Sequence, residues 1–370
     1  MPGIQLDLFR RCEKSWVFIG PGNTAGTSYH VGNALKKARI NAHSFSYRTH
    51  PFGYQCDTDN LLFKKPNSRN FFQKLLLNRL TLRIIWNFQK ISIFIRALII
   101  YDSYIFISPH TFFKSHIDLP FLRYLGKTIA FYFPGCCERD PWDSLNSEVG
   151  GFCYFCMDKN KQQFCNCINN EAKAKQIRYF EKFANIIFAQ RDTIGFVRQS
   201  EKIRKLYVIA DKMNASSLDK FMDINKIIIC HFPSNNLIKG THHVKKAISL
   251  LSYSNINYIS DRLSNDEVLI QLEKAHILVD QFGTGHGLLA VEAMSRGCVV
   301  ICRLAKWFKE DYPDIPIVSC EPEELKDVLE DLINNPEKMK SIAQQSIEYY
   351  KKYHTPEAVG NYYKEILNLH

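Results

Sequence analysis

The chain has 370 residues, of which 46% are hydrophobic and 23% charged, and a formal net charge of +11. Such a length exceeds one simple core and suits two domains of ordinary size, and the composition excludes a disordered chain. The cationic excess favours an anionic partner (nucleic acid, an acidic membrane surface or a phosphorylated substrate) without choosing among them.

Residues 1–14 carry Asp7, Arg10, Arg11, Glu13 and Lys14 and no continuous apolar core, so no signal peptide is expected and the cytoplasm is the expected compartment. A βαβ unit follows: an apolar strand at 17–19, a glycine-punctuated loop at 20–26, a helix at 28–38 and a second strand. The most apolar stretch, 75–108, is broken by Arg79, Arg83, Lys90, Arg96 and Asp102 and never reaches the roughly 18 uncharged residues of a membrane span. Arg79, Arg83, Asn87 and Lys90 fall at helical spacing, which reads either as a basic helix lying on an anionic membrane surface or as a helix burying its apolar face. Further strands are expected at 101–108, 126–133 and 183–190, so this half is α/β with a parallel sheet.

Twelve cysteines are present, six of them from Cys136 to Cys167. Cys153, Cys156, Cys165 and Cys167 form two close pairs that can enclose a tetrahedral structural zinc, or remain free thiols in a reducing compartment. Four protein ligands would leave no open position for catalysis.

A polar stretch at 211–225 marks a junction, after which the pattern restarts with strands at 226–232, 256–260, 276–280 and 298–302 alternating with helices. Ser264 with Glu267 three residues on is a capping box, and Gly297 suits a helix C-terminus. Two strand-to-helix loops carry the chemistry. In 230–251, Ser234, Asn235 and Lys239 offer a hydroxyl, an amide and an ammonium to a diphosphate, with Thr241 as expected N-cap. In 281–301, Gly283, Gly285 and Gly287 allow backbone amides close to an anion, and Glu292 lies about one turn into the next helix. Such an acid can accept two hydrogen bonds from ribose hydroxyls; its plainer reading is a solvated helix glutamate.

With "HFPSN", "KGT" and "FGTGHGLLAVEAMSRGCVVI", the second half resembles the donor-binding half of a GT-B glycosyltransferase of the retaining, family-four type. "IGPGNTAG" and "DLPFLRYLGKTIAFYFPGCCERD" resemble the first glycine loop and acceptor region of its bacterial polysaccharide branch. The resemblance implies two Rossmann-like domains facing across a cleft: 1–212 for the acceptor, with a C-terminal helix 345–370 returning to it, and 213–344 for the nucleotide-sugar donor. It implies that Lys239 and Ser234 meet the diphosphate, that Gly285 and Gly287 present amides, that Glu292 holds the ribose, and that Gly22 and Gly26 belong to the facing loop. Arg139 is then expected in the cleft and His110 near the acceptor. The implied chemistry needs no metal cofactor, and the implied acceptor is a glycan or polyprenyl-linked glycan of surface polysaccharide, O-antigen, capsule or lipopolysaccharide, at the inner face of a bacterial membrane.

Two positions depart from the pattern: Thr284 stands where a second acid is common and Ser234 where an arginine is common, and His286 is a candidate to supply the missing charge or hydrogen bond. These departures keep open a catalytically silent nucleotide-sugar-binding subunit. The net charge and cysteine cluster keep open a zinc-containing nucleic-acid-binding protein, although no nucleic-acid module is recognisable and no nucleic-acid partner is expected.

Overall fold

The computed structural model describes residues 15–46, 79–140, 170–210, 218–221, 226–261, 263–283 and 285–370. The zinc candidates Cys153, Cys156, Cys165 and Cys167, most of the expected junction 211–225, and Thr284 lie outside these residues. Among the described residues no group of three or more His, Cys, Asp or Glu side chains is placed to hold a metal ion, and no helix is long and apolar enough to cross a membrane.

The protein is α/β, with two parallel sheets. The first contains β1 (Trp16–Ile19), β2 (Asn41–Ser44), β3 (Ser103–Ile107), β4 (Thr128–Tyr132), β5 (Ile186–Ala189) and β6 (Ile203–Lys205), in the order β2-β1-β3-β4-β5-β6. The second contains β7 (Ile227–Cys230), β8 (Ile256–Ile259), β9 (Ile277–Val279) and β10 (Val299–Ile301), in the order β10-β9-β7-β8. Every pairing is parallel. Parallel strands covered on both faces need apolar residues at successive positions, as "IIIC" and "ILV" supply.

One face of the first sheet is covered by α2 (Arg79–Ile100), α3 (Asp118–Tyr124) and α4 (Asn170–Phe183), through Phe94, Leu119 and Phe180 against Phe18, Phe106 and Phe131. The other is covered by α1 (Thr27–Lys37) and by α11 (Pro356–Ile366). Around the second sheet, α6 (Asn265–Lys274), α7 (Leu288–Met294) and α8 (Lys306–Asp311) lie on one side. On the other lie α5 (Thr241–Ser249) and α9 (Leu325–Asn334). The long helix α10 (Pro336–Tyr353) contributes Met339 and Ala343 to this side and Tyr349 and Tyr350 to the first. Each fully buried Ile, Val or Phe stabilises such a core by about 1.5–3 kcal/mol.

Two expected elements take another form. The single C-terminal helix is two helices: Pro356 cannot continue α10, and the Thr355 hydroxyl oxygen caps α11 by accepting the Ala358 N–H at 3.1 Å. Its second part packs on α1 so closely that a Cβ at Gly360 would lie 2.0 Å from the Ala34 carbonyl oxygen. The N-cap of α5 is Gly240 rather than Thr241, because the loop turns there with φ +69° and a Cβ would meet Phe282 at 2.7 Å. The Ser264–Glu267 capping box and the left-handed Gly297 (φ +64°) are present.

The chain passes from one sheet to the other through 205–210, whose carbonyls are bonded by side chains. Tyr362 Oη donates to Lys205 O at 3.0 Å, Tyr312 Oη to Leu206 O at 3.1 Å, and Tyr350 Oη to Ala210 O at 2.8 Å. His354 Nδ1 donates to Val208 O at 2.6 Å, which fixes the proton on that nitrogen.

Candidate functional site

In both sheets the first strand of the βαβ pattern lies between its second and third, β2-β1-β3 and β8-β7-β9, so that loops leave the carboxyl ends in opposite directions and open a crevice. At the second sheet the loops after β7 and β9 border that crevice, and they hold the residues singled out from the sequence. Lys239 Nζ donates to Asp280 Oδ1 at 2.8 Å and to Gln281 Oε1. Gln281 Nε2 in turn donates to the Gly285 carbonyl at 2.5 Å, so one amide ties the lysine loop to the glycine loop. The Lys239 side chain is 15% exposed and that of Asp280 fully buried.

The loops are shaped from within. Asn235 Oδ1 accepts the N–H groups of Leu237 and Ile238 at 3.0 and 3.1 Å, so its carbonyl oxygen closes the turn that presents Lys239. Ser234 is exposed. Under the lysine loop, His231 Nδ1 donates to Val279 O at 2.8 Å while its Nε2 accepts from the Thr241 hydroxyl at 2.9 Å. A Cβ at Gly285 would lie 2.4 Å from the Phe308 ring, whereas Gly287 faces open space at the start of α7. Glu292 is buried, and its backbone carbonyl accepts from Ser295 Oγ at 2.7 Å and Arg296 NH1 at 2.9 Å. Glu292 is thus a buried helix residue and not the solvated glutamate of the plainer reading.

His286 is also buried, which lowers its pKa by desolvation. A neutral imidazole offers a hydrogen bond and no charge, so of its two expected roles the hydrogen bond is the one this burial favours. His286 and Gly287 stand on one wall of a cleft of about 140 Å³ between the two sheets; Thr24, Thr27 and His30 at the start of α1 stand on the other, with Gln190 after β5. The facing glycine loop leads there. Gly22 packs against the end of β3, with Ile107 O 2.5 Å from a would-be Cβ, and Gly26 turns into α1 with φ +73°.

Arg139 and His110 stand apart from this cleft wall. Arg139 is buried in an ion pair with Asp192, Nε to Oδ2 at 2.9 Å. His110 is exposed at the end of β3, beside Gly22. Next to Arg139, Glu138 is fully buried, with Oε2 accepting the Gly135 N–H at 3.1 Å, and burial pushes its pKa up to about 7. The sequence reading missed Asp280 and Gln281, which hold Lys239, and Thr24, Thr27 and His30, which share a cleft with His286 and Gly287. Asp280 directly follows the apolar run 276–279, and an acid at a strand's carboxyl end is the signal that could have found it.

No model of a protein family matches the chain, and no curated protein sequence matches it. Solved structures do. HepE of Anabaena in complex with UDP and glucose superposes with a TM-score of 0.58 at 11% identity, covering 96% of this chain and 99% of that one. Sucrose-phosphate synthase of Thermosynechococcus elongatus gives 0.59 at 10% identity, with 96% and 98% covered. WaaG, a glycosyltransferase involved in lipopolysaccharide biosynthesis, gives 0.52 at 11% identity, with 94% and 99% covered. The likeness runs through both sheets and shows the fold: the chain has the GT-B architecture.

Proposed function

We propose that the protein is a retaining glycosyltransferase that moves a sugar from a nucleoside-diphosphate donor to a glycan hydroxyl. The observation that supports it best is that Lys239 is tied to Asp280 and Gln281 at the switch point, while His286 and Gly287 further along the same loop face the start of α1 across a cleft, in a fold shared with a protein seen with UDP and glucose. In this reading Lys239 and the backbone amides of Gly285 and Gly287 meet the diphosphate, Glu292 the ribose, and Thr24, Thr27 and His30 the acceptor side. Charge growing on the leaving phosphate would meet donors already in place, and such preorganised groups are typically worth about 10²–10³ in rate. The departing phosphate can itself take the acceptor proton, and the closed cleft positions the two sugars. Melting temperature in the presence of UDP, GDP, ADP, CMP and RNA tests the reading: a ligand at a hundred times its Kd stabilises by about 2.7 kcal/mol. A shift with one nucleoside diphosphate, followed by turnover of its sugar, supports it. A salt-sensitive shift with RNA alone overturns it, and binding without turnover leaves a silent subunit.

The acceptor would be lipid-linked and reached at an anionic bilayer. Eight of the ten exposed large hydrophobic side chains among the described residues lie on or beside two neighbouring helices: Phe88, Ile91, Ile95 and Ile99 on α2, with Ile117, Phe121, Tyr124 and Leu125 around α3. Phe94 on α2 meets Phe113 ahead of α3 at 5.3 Å, which joins the two surfaces. Arg96, Lys114 and Arg123 are exposed on the same segments. Apolar side chains ringed by cations suit an interfacial membrane contact. The double change Ile95→Glu with Phe121→Glu should abolish sedimentation with phosphatidylglycerol vesicles; equal binding by the double variant would remove this surface from the proposal.

A further inference from the structure

The partner of Lys239 is unexpected for a phosphate-binding lysine. An ammonium meant for a diphosphate gains most when its charge is uncompensated, yet this one is donated to a buried carboxylate and to the Gln281 amide oxygen. Two of its three N–H bonds are thereby spent, leaving one for a ligand. The second oxygen of that carboxylate, Asp280 Oδ2, is buried and without a hydrogen-bond partner among the described residues. A bare buried carboxylate oxygen is costly and rarely kept for packing alone. Its position, the first residue after β9 at the switch point, sets its negative charge beside the place where a diphosphate would lie.

We infer that Asp280 is a positioning residue that fixes Lys239 in a net-neutral pair and so holds down the affinity for the diphosphate leaving group, exchanging product affinity for release. This rests on the donor reading above. Asp280 orients the lysine for the transition state, where the phosphate charge is greatest, and repels the free diphosphate afterwards. Removing its charge while keeping its shape separates the two effects, because a residue with a merely structural role would weaken binding and turnover together.

The decisive experiment is calorimetric binding of UDP, GDP, ADP and CMP to the full chain, with kcat and KM for the sugar of whichever nucleotide binds. Asp280→Asn should bind the nucleoside diphosphate about tenfold more tightly, with a steeper loss on adding salt, while kcat falls. The double variant Lys239→Met with Asp280→Asn should bind no more tightly than Lys239→Met alone, since the gain is carried by the released ammonium. Asp280→Ser carries the same expectation if the amide does not fold. Unchanged or weaker binding by both Asp280 variants, with the wild type binding normally, overturns the inference and leaves the donor reading intact. If none of the four nucleotides binds the wild type, the donor reading falls and the inference with it.

Discussion

At the second sheet an ion pair, Lys239 with Asp280, joins two strand-to-helix loops, its lysine 15% exposed and its carboxylate buried; at the first the charges are drawn further inward. There Arg139 is closed on Asp192, Glu138 is fully buried, and the Asp118 carboxylate is spent on the Thr111 hydroxyl and the Phe112 N–H. The polar residues facing the cleft from the start of α1 are hydroxyls and an imidazole. One strand order thus carries two kinds of site: one presents a tethered ion pair, the other neutral hydrogen-bonding groups. Burial also acts on opposite groups. In the first unit it raises Glu138 to about 7 and Asp118 to about 6; around the second it lowers His231, His276 and His286, and takes His354 down to about 3.

The contrast breaks most sharply on the two ion pairs. Arg139→Met strands the buried Asp192 charge and should cost about 3–5 kcal/mol, read as a lowered melting temperature; nucleotide affinity should stay near wild type. The double change Lys239→Met with Asp280→Asn, which leaves no stranded buried charge, should do the reverse, lowering turnover about 100-fold or more with little change in melting temperature. If both variants lose stability alike, the lysine pair is structural and the contrast fails. Gly285→Val forces a side chain into Phe308, and overpacking of this kind costs about 1–3 kcal/mol, visible in a denaturant midpoint.

A subtler comparison uses pH. A buried acid with a raised pKa contributes its full stability below the ordinary carboxylate value and loses it as pH rises through the folded value, here about 6 to 7 for Asp118 and Glu138. A buried histidine with a lowered pKa contributes in full above about 6.5 and loses stability as pH falls towards the folded value, about 3 for His354. Hydrogen exchange should therefore show the first unit loosening as pH rises from about 4 to 7 and the second as pH falls from about 7 to 3. Parallel loosening of both units would discard this division. His116, half-buried in the first unit and also lowered, tempers the effect there.

Much of the frame was legible because it depends on local pattern. Apolar runs bounded by glycine or polar residues announced β3, β4, β5, β7, β9 and β10, and their alternation with helices announced the parallel sheets. The strand β6 was not legible, since two of its three residues are Arg204 and Lys205 and only pairing with β5 makes it a strand. The break before α11 was written in Thr355-Pro356, a cap followed by a helix-starting proline. Lys239 drew notice as a lysine beside a glycine in a strand-to-helix loop, but its counter-ion is 41 residues away and Arg139 finds Asp192 across 53. Such pairings are properties of the packed sheets, and local spacing carries no trace of them.

The bonds to the crossing segment locate any swivel between the two units. Lys205 O is held by Tyr362 of α11, which rests on the first sheet; Leu206 O, Val208 O and Ala210 O are held by Tyr312, His354 and Tyr350, which stand in or beside α8 and α10 of the second unit. A rotation that keeps all four bonds must be absorbed by the single peptide unit joining Lys205 to Leu206, with the return crossing at His354–Thr355 as its counterpart. The joint behaves as a pin one residue long rather than a flexible leash, so inserting one glycine after Lys205 should unseat the tyrosines in turn, and inserting one within 218–221 should not.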